Sequence, residues 1–75
     1  MVLDEFHIGN IIKAKLDEQG RSIAWLASKL HIDKSAFGKS LKNNNIKTEI
    51  LIRISCILEY DFFKDISEYL NKIHD

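Results

Sequence analysis

The stretch SIAWLASKLHIDKSAFGKSLK, residues 22 to 42, decides how the chain is read. Ser22 is a good N-cap, because its hydroxyl can accept a backbone N–H that the first turn of a helix leaves unpaired. Ile23, Leu26, Ala27 and Leu30 then fall on one face at helical spacing, so a short helix runs to about Leu30. His31 and Ile32 must turn tightly, because Asp33 is already the next good cap. A second short helix follows, about Lys34 to Lys42, with Phe37 and Leu41 one turn apart and Ala36 beside them. Its other positions include Lys34, Ser35, Gly38, Lys39 and Lys42, so it keeps only a narrow apolar stripe for attachment.

Outward from this pair the same periodicity continues. Ile8, Ile11, Ile12 and Leu16 predict a first helix from about Ile8 to Gln19, stopped by Gly20. Asn43, Asn44 and Asn45 form a polar loop, after which Thr48 can cap a fourth helix. Ile50, Leu51, Ile54, Ile57 and Leu58 give that helix one broad buried face. The chain turns near Tyr60, and Asp61 can open a fifth helix with Phe62, Ile66, Leu70 and Ile73 on one side, reaching about residue 72. No repeat, low-complexity run or β-type alternation interrupts this pattern. The expectation is an all-α, five-helix single domain spanning residues 1 to 75.

Composition agrees with that class. The 75 residues are 45% hydrophobic and lack proline, which suits short helices joined by tight turns. Cys56 is the one cysteine, so no internal disulfide can form, and no Cys/His spacing predicts a metal site. His7, His31 and His74 stand far apart with no acid or cysteine at ligand spacing. No serine or cysteine sits in a nucleophile motif, so neither catalysis nor a cofactor is expected, and no small-molecule ligand is evident. The opening residues MVLDEFHIGN lack the basic start and apolar core of a signal peptide, and no apolar run approaches a membrane span, which predicts a cytoplasmic protein.

The formal net charge is zero, but its distribution is uneven. Residues 1 to 20 carry two cations against four acids, and residues 49 to 75 carry three against six. Residues 21 to 48 reverse this, with Arg21, Lys29, Lys34, Lys39, Lys42 and Lys47 against Asp33 alone. A basic middle between acidic ends points to an anionic partner for the middle.

Two short helices joined by about three residues, the second lysine-rich and poor in apolar side chains, have the layout of a helix-turn-helix. The pattern L-A-x-x-L-x-I over Leu26, Ala27, Leu30 and Ile32, before the cap Asp33, is followed by T-E-x-L-x-R-I over Thr48, Glu49, Leu51, Arg53 and Ile54. Together these resemble the Cro and lambda-repressor type of helix-turn-helix, the XRE family, over about residues 8 to 66. The segment Glu59 to Phe63 further resembles small stand-alone regulators of this type from Bacteroides-like bacteria. The resemblance implies a five-helix, lambda-repressor-like domain whose third helix reads double-stranded DNA, usually as a homodimer, and thus a sequence-specific transcriptional regulator. Three positions depart from the family pattern: His31 stands where glycine is usual, Ile23 where a phosphate-touching glutamine is frequent, and Ser40 where an apolar residue packs inward.

Carried over by position, the resemblance implies base contacts at Lys34, Ser35, Ala36, Gly38 and Lys39, with lysine and serine bonding base edges or phosphate and Ala36 meeting a thymine methyl. It implies contacts to the DNA backbone at Lys42, Asn43, Asn44 and Lys47, which fix register more than sequence. Gly38 has two readings, close packing of helix 3 on a neighbour or close approach to DNA. Trp25 lies opposite the inner face of its helix; residues 1 to 7 or the last helix cover it, or it meets a dimer partner or the DNA backbone. Ile52 and Cys56 face away from the main stripe of helix 4 and pack on helix 5 or across a dimer, with Cys56 expected to act as a small buried hydrophobe. The competing reading is a helical protein-interaction module, an antitoxin-like or anti-repressor partner that keeps the fold without specific DNA binding. Ile23, Trp25 and the zero net charge favour it.

Overall fold

Five helices follow one another in the computed structural model, which describes residues 6 to 74: α1 (Ile8–Glu18), α2 (Ile23–Leu30), α3 (Lys34–Lys42), α4 (Thr48–Leu58) and α5 (Phe62–His74). Among the described residues there is no strand. Asp4, Glu5 and Asp75, which contribute to the charge of the two ends, lie outside the described residues.

Three starts follow the expected caps. Ser22 Oγ accepts the Trp25 N–H at 3.0 Å and Asp33 Oδ2 accepts the Ala36 N–H at 3.1 Å, each satisfying a donor that the helix cannot. α5 opens on Asp61, whose Oδ1 accepts the N–H groups of Phe63 and Lys64 at 3.0 and 3.3 Å. α4 differs from expectation. Thr48 is its first helical residue rather than its cap, the N-cap is Lys47, and no side chain caps the turn, because lysine has no acceptor to offer. Glu49 in the first turn supplies the negative charge that the helix dipole favours there. At α1 the cap is His7, whose Nδ1 accepts the Asn10 N–H at 3.1 Å.

Four helices end in one way. After α1 the chain turns left-handed at Gly20, and the Arg21 N–H reaches back to the Leu16 carbonyl at 2.9 Å. Ile32 N–H to Ala27, Asn45 N–H to Ser40 and Tyr60 N–H to Ser55 repeat this bond after α2, α3 and α4. The left-handed residues there are His31 (φ 59°), Asn44 (φ 56°) and Glu59 (φ 53°). Asn and His tolerate this region better than most side chains, whereas Glu59 bears the ordinary steric cost.

The core gathers the inner faces into one cluster: Ile8, Ile12 and Leu16 of α1, Leu26, Ala27 and Leu30 of α2, Phe37 and Leu41 of α3, Leu51, Ile54 and Leu58 of α4, and Phe62 of α5. Each large side chain buried here contributes roughly 1.5–3 kcal/mol. The broad face expected on α4 is narrower, since Ile50 and Ile57 are half-buried flanks. The stripe on α5 is buried at Phe62 but emerges along the helix, leaving Leu70 44% exposed. Cys56 is exposed rather than buried, and Ile52 beside it is 51% exposed, so neither is buried within the chain.

Three contacts lock the helices together. Gly9 of α1 lies flush on α3, where any Cβ would overlap the Leu41 carbonyl. Arg53 of α4 donates through Nη2 to the Leu30 carbonyl at 3.1 Å, placing a cation at the negative end of α2. Gln19 Nε2 donates to the Leu58 carbonyl at 2.9 Å, tying the ends of α1 and α4. No helix among the described residues is long and apolar enough to cross a membrane.

Candidate nucleic-acid interface

α3 is fastened by Phe37 and Leu41, both buried, while Lys34, Ser35, Ala36 and Lys39 are exposed on its other sides. The cap at Asp33 fixes where this surface begins, because it sets the first turn of α3 immediately after the three-residue connection from α2. Gly38 is half-buried, yet a Cβ there would meet no atom within 4 Å, which rules out close helix packing within the chain as its reason. Lys42, Asn43 and Lys47 are exposed beyond the end of α3. The ion pair found among the described residues is Lys15 with Glu18 at 3.1 Å, so none of Lys34, Lys39, Lys42 and Lys47 is held in an ion pair. Four lysines outside any ion pair, along one helix and the loop behind it, attract anions.

Asn44 departs from its expected place in this set. Its Oδ1 accepts the Ile8 N–H at 2.7 Å and its Nδ2 donates to the Phe6 carbonyl at 3.1 Å, so both ends of the amide are engaged within the chain. The amide cannot turn to a phosphate without giving up both bonds, so a backbone contact from Asn44 is confined to its second Nδ2 hydrogen.

Two cations join the set that sequence alone had not assigned to it. A cavity of about 480 Å³ opens where the end of α1 meets the starts of α2 and α3, lined by Lys13, Asp17, Arg21, Ser22, Ile23 and Lys34. Three cations, from α1, the α1–α2 connection and α3, meet one acid there, beside Ile23. Lys13 was hidden by its sequence context, since it belongs to a segment that is acidic as a whole. Helical phase could have found it: Lys13 and Asp17 are one turn apart, on a flank of the Ile12 and Leu16 stripe.

Trp25 is half-buried, with the Arg21 guanidinium 4.2 Å and the Lys29 ammonium 5.7 Å from its ring centroid. Cations from either side of it in sequence therefore cover part of the indole; the cover expected from residues 1 to 7 falls largely outside the described residues. Beside α3, a second cavity of about 270 Å³ runs between Ala36 and Ser40 on one side and Ile46, Lys47 and Ile50 on the other. Ser40 is too short to fill it.

The junction of α1 with α5 is built differently. Lys15 lies 4.0 Å over the Tyr60 ring, and the Tyr60 O–H donates to Asp65 Oδ1 at 2.9 Å. That bond to a carboxylate, aided by burial and by the charges of Asp65, Glu68 and Glu18, holds the phenol above its ordinary value of 10.0. Among the described residues no group of three or more His, Cys, Asp or Glu is gathered to hold a metal ion.

In comparisons with known proteins, no family model, no curated protein and no solved structure matches the chain.

Proposed function

We propose that the chain is a sequence-specific DNA-binding regulator of transcription, with α2 and α3 acting as a lambda-repressor-like helix-turn-helix of the XRE type and α3 lying in the major groove. The observation that carries this reading is the capped, narrowly fastened α3 whose free surface holds Lys34, Ser35, Ala36 and Lys39 with no acid among them. Lys34 and Lys39 reach base edges or phosphates, Ala36 takes a thymine methyl, and Gly38 leaves room for close approach. Lys42, Asn43 and Lys47 contact the backbone at one end of α3. Lys13, Arg21 and Lys34 hold a phosphate at the other, supplying the charge that Ile23 cannot. The protein acts in the cytoplasm, without cofactor or catalysis, by occupying its site.

A homodimer gives the two half-sites. Ile52 and Cys56 on α4, with Phe63 (36% exposed) and Leu70 on α5, are the apolar side chains available for the second subunit. The same exposed residues favour a second reading, in which a different protein docks there and DNA is not read. Selection from a random duplex pool at moderate salt separates the two. Enrichment of one motif, lost when Lys34 and Lys39 become alanine, supports the first; no enrichment supports the second.

A further inference from the structure

We propose that Phe6, His7, Ile8 and Gly9 form a clasp that fixes the C-terminal end of α3, which makes His7, Gly9 and Asn44 positioning residues for DNA binding; the inference rests on the DNA reading above. α3 needs such a fixing. Its apolar hold is Phe37 and Leu41, and on the α4 side Ser40 leaves the cavity of about 270 Å³ beside it. Packing on that side does not define where the helix ends.

The α1 side does. Because His7 Nδ1 accepts the Asn10 N–H, the neutral ring carries its proton on Nε2, and Nε2–H donates to the Lys42 carbonyl at 3.1 Å. Asn44, the left-handed residue that ends α3, receives the Ile8 N–H and donates to the Phe6 carbonyl. Gly9 brings the backbone of α1 against the Leu41 carbonyl. Thus orphan N–H groups at the start of α1 and an orphan carbonyl at the end of α3 are satisfied by the same few residues, about 35 positions apart. These bonds hold the turn that carries Lys39 and Lys42. The Phe6 ring also packs on Tyr69 at 4.9 Å between centroids, so α5 is joined to the clasp and through it to the DNA-facing helix.

Two variants isolate the clasp. His7→Asn keeps an acceptor for the α1 cap but is too short to reach Lys42. Asn44→Gly keeps the left-handed backbone and removes both side-chain bonds. With helix content unchanged by circular dichroism, affinity for the duplex enriched in the selection is expected to fall roughly tenfold in Asn44→Gly and about threefold in His7→Asn. The slope of log affinity against log salt stays as in the unmodified chain, because no phosphate contact is lost. Unchanged affinity overturns the proposal, and so does a slope reduced by about one in Asn44→Gly, which marks Asn44 as a direct phosphate contact. A second arm needs no DNA: amide exchange at Ile8, Asn43 and residue 44 is expected to quicken in Asn44→Gly, and unchanged exchange overturns the clasp itself. If exchange quickens but the unmodified chain enriches no duplex, the DNA reading fails and the positioning role with it, leaving the clasp as an internal brace.

Discussion

Two regions of the molecule use charge in opposite ways. Where α1, α4 and α5 meet, polar groups answer one another: Lys15 pairs with Glu18 and covers Tyr60, Tyr60 donates to Asp65, and Gln19 donates to Leu58. Around α3, Lys34, Lys39, Lys42 and Lys47 are exposed and make no ion pair, although Asp17 shares a cavity with Lys34 and Glu49 one with Lys47. Polar groups satisfied inside the chain contribute to stability, whereas unpaired surface charges contribute little to it and remain free for a partner. A neutral sum therefore conceals a difference between an acidic region with several internal polar contacts and a basic one whose lysines make no ion pair.

Substitutions sharpen or break this contrast. Gly9→Ala forces a Cβ into the Leu41 carbonyl at the α1–α3 contact and is expected to cost about 3 kcal/mol or more in chemical denaturation. Tyr60→Phe leaves the Asp65 carboxylate without its donor; Oδ2 of that carboxylate is already buried without a partner, so a loss of about 2 kcal/mol is expected. The same variant has a pH signature. The folded phenol titrates above the unfolded value of 10.0, so its contribution is fully present below pH 10.0 and is lost as pH rises through the folded value. Denaturation at rising alkaline pH should show that component in the unmodified chain and lack it in Tyr60→Phe.

Smaller effects test the helix ends and the basic face. Glu59→Gly relieves a left-handed residue that glycine accepts freely, and thermal melts should show a gain of about 0.5 kcal/mol after the entropy of the added glycine is counted. Lys34→Ala and Lys39→Ala should each change stability by less than about 0.5 kcal/mol. A large loss of stability in either would place these lysines among the internal polar contacts and erase the difference between the two regions.

Much of this arrangement was legible in the chain itself because it is local. Helical periodicity, the caps Ser22, Asp33 and Asp61, and the stop at Gly20 all act within a turn or two of the residues that reveal them. His31 could be read as a left-handed turn residue for the same reason. What escaped is what crosses the fold. Asn44 looked like a loop residue free for phosphate until Ile8 and Phe6 occupied its amide, and nothing near Gly9 in sequence announces Leu41. Thr48 has the side chain of a cap, but the chain becomes helical one residue too early for it to serve. Cys56 lies in apolar company along the chain and Leu70 falls on the helical stripe of Phe62 and Ile66, yet both are exposed. The candidate face was legible in its lysines on α3, and incomplete in Lys13 and Arg21, which reach it only through the meeting of three helices.

The central claim, that the basic region exists to hold DNA, is tested most directly by titrating the chain with duplexes selected from a random pool over a range of salt. The account predicts one enriched motif, two-fold related with half-sites about 10 base pairs apart, an affinity that falls steeply with salt, and a slope lowered by about 0.9 for each of Lys34 and Lys39 replaced by alanine. No enriched motif, or a slope that those replacements leave unchanged, would contradict it.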